Sequence, residues 1–99
     1  MAHTTRAVTF GNSALAEVLF SSYTAGQGGE QFTLAEFGLT GSLVSFWTVL
    51  TGDPDGIGRP GDRFRYMGAG KVLMYASGST VEQPTGAISL TVFVFVQGS

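Results

Sequence analysis

The chain ends on the run Ala87-Ile88-Ser89-Leu90-Thr91-Val92-Phe93-Val94-Phe95-Val96, rich in the β-branched and aromatic residues that suit a strand. Side chains alternate across the two faces of a strand. Ile88, Leu90, Val92, Val94 and Val96 therefore share one face, and Ser89, Thr91, Phe93 and Phe95 share the other. The second face begins polar and ends aromatic. A half-exposed antiparallel strand keeps one face wet along its length, so the end of this one needs cover on both sides. A second sheet can cover the valine face; the chain's own loops or another subunit must cover the phenylalanine face.

Short β-prone segments separated by turn residues fill the rest of the sequence. Arg6–Phe10 reads as a first strand, after a flexible arm over residues 1–5. Leu15–Tyr23 reads as a second, with Ala16, Val18 and Phe20 on one side and Leu15, Glu17, Leu19 and Tyr23 on the other. The glycines of Ala25–Gly29 mark a loop. Thr33-Leu34-Ala35-Glu36 has the form of a capping box, and Gly38 would end a single helical turn near residues 33–37. Leu43–Leu50, apolar on both faces, reads as a central strand. Thr51–Asp62 is a Gly/Pro/Asp loop. Arg63–Met67 and Lys71–Ala76 form a hairpin across Gly68-Ala69-Gly70, with Phe64 and Tyr66 inward and Arg63 and Arg65 in water. The expected fold is all-β: an antiparallel β-sandwich or barrel of about six to eight strands in one domain over residues 6–99.

Composition removes several classes of function. A net charge of −2 lacks the basic footprint of a nucleic-acid binder. Without cysteine there is neither a disulfide framework nor a thiolate metal site. No apolar run reaches the ~20 residues of a spanning helix, and Met1–Arg6 lacks the apolar core of a signal peptide. The reading is of a soluble protein, with neither nucleic acid nor membrane as partner. Charged residues make up 12%, about half the usual ~25%. The surface must then be largely Gly, Ser and Thr, suited to packing against another protein.

Candidate chemistry is sparse. His3, the one histidine, sits in the expected arm, which leaves no Ser-His-Asp or Cys-His arrangement. Asp53-Pro54-Asp55-Gly56 opens like a calcium loop, but glycine falls at the wrong offset for an EF-hand and no glutamate closes it. A different calcium site using Asp53, Asp55 and Asp62 stays open beside the plainer reading of a turn. Gly68-Ala69-Gly70-Lys71 lacks the earlier glycine and the Ser/Thr of a phosphate loop. Glu17, Glu30, Glu36 and Glu82 are scattered singly, not paired as glycoside hydrolysis requires. Phe10, Phe20, Phe46, Trp47, Phe64, Phe93 and Phe95 occupy core-like strand positions, favouring packing over a sugar platform. No enzyme, cofactor or resident metal is expected.

The order of segments carries a resemblance. Val18-Leu19-Phe20-Ser21-Ser22-Tyr23 leads through a Gly-rich turn to Gly29-Glu30-Gln31-Phe32-Thr33-Leu34-Ala35-Glu36-Phe37-Gly38-Leu39. A strand, Phe64-Arg65-Tyr66, Gly70-Lys71-Val72-Leu73-Met74-Tyr75 and the apolar final strand follow. This series resembles the small head decoration, or cement, proteins of tailed bacteriophages, over nearly the whole chain. The longer Asp53–Asp62 loop departs from that pattern. The resemblance implies a non-enzymatic virion protein, made in the host cytoplasm and placed on the outer surface of the capsid. There it would act as a homotrimer bridging major capsid protein subunits. Phe93 and Phe95, with Trp47, are the expected oligomer interface; Thr4, Thr5 and Arg6 of the arm, with Arg59, are the expected capsid contacts. The alternative is a phage tail or fibre module that binds a host-surface glycan.

Overall fold

The computed structural model describes residues 2–49, 63–76 and 78–99. Seven strands are described: β1 (His3–Phe10), β2 (Ser13–Tyr23), β3 (Glu30–Gln31), β4 (Leu43–Val49), β5 (Phe64–Gly68), β6 (Lys71–Met74) and β7 (Gly86–Gly98). They form two antiparallel sheets, one in the order β1-β2-β7-β4 and one in the order β3-β6-β5. A 3-10 turn, Leu34–Phe37, lies between β3 and β4.

The alternation of β2 and β7 sets the core. Ala14, Ala16, Val18 and Phe20 of β2 and Val92, Val94 and Val96 of β7 are buried on one face of the larger sheet. Val72 and Met74 of β6 close over them, with Phe64 and Tyr66 of β5 packed alongside. Phe32, Leu34, Phe37 and Leu39 fill the end of the same cluster. The turn that carries Leu34 and Phe37 follows Thr33, whose backbone N–H donates to Glu36 Oε2 at 2.8 Å, and stops at Gly38 in the left-handed region.

Several expectations are corrected. Residues 3–5 of the arm expected over 1–5 are part of a strand instead, because β1 begins at His3, pairs with β2 from His3↔Phe20 onward, and buries the His3 side chain. Leu43–Val49 is not central: its one strand partner among the described residues is β7, and Trp47 is 65% exposed. The centre of that sheet belongs to β2 and β7. Tyr23 does not share the face of Leu15 and Leu19. A register shift between Phe20 and Ser22 turns it inward, where it is buried. The β5–β6 turn is Ala69-Gly70, shorter than expected, with the extra residue taken up as a bulge between Tyr66 and Gly68. Arg65 is exposed as expected. Arg63 is held instead by Tyr75 O (3.0 Å) and Gln83 Oε1 (2.6 Å).

One close approach is testable. Gly29 has φ +112°, and a Cβ there would lie 2.7 Å from both the carbon and the oxygen of the Val72 carbonyl. The loop before β3 thus lies directly on the β6 backbone. Gly29→Ala is expected to cost roughly 2–3 kcal/mol, combining a poor φ with overpacking. Gly28→Ala, also at positive φ but facing open space, should cost only about 1 kcal/mol. Denaturant midpoints of the two variants measure the difference; equal losses would mean the loop does not touch β6.

Candidate functional site

The outer face of the larger sheet is assembled row by row from the strand registers. Val8 lies opposite Leu15, Leu15 opposite Phe95, and Phe95 opposite Trp47. The adjacent row holds Arg6, Glu17 and Phe93, and the next Thr4, Leu19 and Thr91. On the other side lie Phe10, Ser13, Gln97 and Ser45. Phe10 stacks on Phe95 at 5.8 Å between ring centres. Val8, Phe10, Leu15, Leu19, Trp47 and Phe93 are all exposed.

This contiguous apolar face crosses all four strands. The expected interface residues Phe93, Phe95 and Trp47 are brought together on it. The core positions expected for Phe10, Trp47 and Phe93 are corrected, because the second sheet covers the opposite face. Exposed apolar side chains gathered on one face, rather than scattered singly, are the pattern of a contact surface. Thr4 and Arg6 are exposed on this face, whereas Thr5 points to the other, where its hydroxyl donates to Glu36 Oε1 at 3.0 Å. Arg6 and Glu17 face each other across the ladder without forming an ion pair; among the described residues the ion pairs are those of His3. Arg59 and the calcium candidates Asp53, Asp55 and Asp62 lie outside the described residues.

A second feature was not expected. The His3 ring is 2% exposed and lies between two carboxylates. Nδ1 faces Glu30 Oε2 at 2.5 Å, and Nε2 faces Glu36 Oε1 at 2.6 Å. The ring stacks on Phe32 at 4.1 Å and packs against Phe20. Burial alone would depress the imidazole's pKa. The hydrogen bonds to Glu36 and Glu30 and the attraction of both charges outweigh it, holding the pKa above the ordinary 6.5. Burial likewise pushes the Glu36 carboxyl up, but hydrogen bonds from His3, the Thr33 N–H and Thr5, with the His3 charge, hold it below the ordinary 4.5. Thr4 and Thr5, both β-branched, were the sequence signal that β1 starts before Arg6.

The cluster has no open position for a substrate, and both ring nitrogens are engaged. Among the described residues no group of His, Cys, Asp and Glu could hold a metal ion, and no helix is long and apolar enough to cross a membrane. A cleft of about 350 Å³ lies between Val44, Ser45, Phe46, Trp47 and Tyr66. The Tyr66 hydroxyl beside it donates to Leu43 O at 2.8 Å and accepts the Gly70 N–H at 3.0 Å, so its hydrogen bonding is spent internally.

Compared with family models, curated proteins and solved structures, the chain gives no match.

Proposed function

We propose that this protein is a non-enzymatic virion structural protein that self-associates and braces a bacteriophage capsid from outside. The observation that carries the reading is the outward-facing row Val8–Leu15–Phe95–Trp47, exposed at Val8, Leu15 and Trp47 and half-buried at Phe95, flanked by exposed Phe10, Phe93 and Leu19. Copies joined through this face would bury it around a symmetry axis, most simply as the trimer that the resemblance to cement proteins implies. The joined unit would then bind a site created only where major capsid subunits meet. Binding that one state stabilises it by RT ln(1 + [L]/Kd), summed over many copies.

The glycan-binding alternative has one observation in its favour, the exposed Trp47 beside the cleft. Aliphatic Val8, Leu15 and Leu19 on the same face favour a protein partner. They offer neither the stacking surface nor the hydroxyl acceptors that a sugar needs.

Sedimentation of the purified protein tests the association, and the doubly substituted Trp47→Ser/Phe93→Ser protein tests the face. The wild type is expected to sediment as one oligomeric species. The variant, folded but monomeric, should show association weakened at least 100-fold in Kd, as for loss of two central aromatic anchors. Shells of the major capsid protein from the same genome should melt at higher temperature with the wild type bound than without it. A wild type that stays monomeric at high concentration, or shells indifferent to it, would overturn the reading.

A further inference from the structure

We propose that His3 is a pH-operated latch on the first strand: with both ring nitrogens protonated it ties β1 to β3 and to the 3-10 turn, and loss of one ring proton releases that end of the strand. The latch stands on the geometry of one buried ring between two carboxylates; only its consequence for assembly rests on the function proposed above.

Two carboxylate acceptors at 2.5 and 2.6 Å require two N–H donors, and only the imidazolium has both. The neutral ring has one. The carboxylate left without it then faces a ring lone pair at hydrogen-bond distance, and attraction becomes repulsion. Water cannot readily take over, because the ring is 2% exposed and backed by Phe32 and Phe20.

The groups around the ring leave few other candidates for this titration. Glu30 approaches from β3, and Glu36 approaches from the 3-10 turn, itself steadied by Thr5 of β1 and by Thr33. The aromatic neighbours Phe20 and Phe32 do not titrate. Tyr23 of β2 feels the charge of Glu30 and donates to Glu82 at 2.7 Å, but burial and that bond push it up to about 12. Lys71, paired in the ladder with Gln31, sends its ammonium to Gln27 O at 3.2 Å.

The signs define a window. The His3 contribution is complete below about 6.5, the ordinary imidazole value, and is lost as pH rises through the higher folded value. The Glu36 contribution is complete above about 4.5 and is lost as pH falls through the lower folded value. The latch is therefore fully closed between about pH 4.5 and 6.5 and opens on the alkaline side through His3. Opening frees the start of the chain, where Ala2 O accepts the Ser21 N–H at 2.8 Å and the Ser22 N–H at 3.3 Å. The same strand carries Val8 and Phe10 into the exposed face, so alkaline pH should also loosen assembly.

Amide exchange of the full chain between pH 5.5 and 9, corrected for intrinsic rates, tests this. Protection at Ser21 and Ser22 is expected to fall at least tenfold from pH 6 to pH 9, while Val92 and Val94 of central β7 hold constant. The midpoint should coincide with the NMR titration of the imidazole, the one histidine signal in the chain, and lie above 6.5. His3→Gln should show low, pH-independent protection at Ser21 and Ser22. If that variant does not fold, Glu30→Gln, which keeps the Glu36 bond, should lower the imidazole midpoint. A flat wild-type profile, or a Glu30→Gln midpoint equal to the wild type's, would overturn the latch. Sedimentation over the same range separates the two readings. A monomer at every pH with the exchange profile intact sustains the latch and overturns the assembly role.

Discussion

Phe32→Ala is expected to lower stability by about 4 kcal/mol, within the 3–5 kcal/mol usual for truncating a buried phenylalanine. Phe32 is 1% exposed and touches four other rings. His3 stacks on it at 4.1 Å, and Phe46, Phe20 and Phe37 lie at 5.1, 6.0 and 6.1 Å between centres. Those rings come from β1, β4, β2 and the 3-10 turn, so one side chain holds four separate parts of the fold against each other. Aromatic pairs add about 0.5–1.5 kcal/mol each beyond area burial, and the vacated space cannot collapse without moving β1. A domain this small has roughly 5–10 kcal/mol in total, so the variant should sit close to unfolding. Its melting temperature should fall by roughly 15–30 °C, at 4–8 °C per kcal/mol. Calorimetry checks this against Phe10→Ala, whose ring is 52% exposed on the outer face and should weaken association rather than the fold of the single chain. A smaller loss for Phe32→Ala than for Phe10→Ala in dilute monomer would mean that the core does not lie where Phe32 is.

His3→Leu carries the second large effect. Leucine retains apolar bulk against Phe32 and Phe20 but leaves Glu30 and Glu36 facing each other without the cation between them. Removing one partner from a buried charged cluster costs roughly 3–5 kcal/mol. Both carboxylates keep some contact with water, at 17% and 15% exposure, which places the expectation at the lower end, about 3 kcal/mol at pH 6. The loss should shrink toward pH 4, because the Glu36 carboxyl, no longer held down by His3, can then protonate. Adding Glu30→Gln and Glu36→Gln to His3→Leu should recover part of it, since the like charges are gone. Denaturant titrations at pH 4 and pH 6 measure both quantities. A loss independent of pH would assign His3 to packing alone.

The shared face of Phe93 and Phe95 was legible in the sequence because alternation is local, whereas the exposure of Phe10, Trp47 and Phe93 was not. Phe93 and Phe95 share a face opposite Val92 and Val94 in any strand, whatever it packs against. The Thr33–Glu36 cap with Gly38 beyond it was legible for the same reason, since all its atoms lie within one turn. The His3 cluster was not. Its bonds join residues 27 and 33 positions apart, and a lone histidine near a terminus has no local pattern that announces two carboxylates. Trp47 shows the limit most clearly. Leu43–Val49 is apolar enough for a centre, yet the register puts β7 there and leaves β4 with β7 as its one strand partner among the described residues.

By itself the sequence determined an all-β chain of short alternating strands, because side-chain alternation and turn chemistry act over a few residues. It also determined that the last strand would present aromatic rings opposite its valines. Only the tertiary structure decided which of the strand faces the second sheet covers, that a bulge turns Tyr23 inward, and that the His3 ring of the first strand is buried between two carboxylates. Those outcomes depend on strand order and on contacts between residues distant in the chain, where many pairings satisfy the same local pattern and packing selects one.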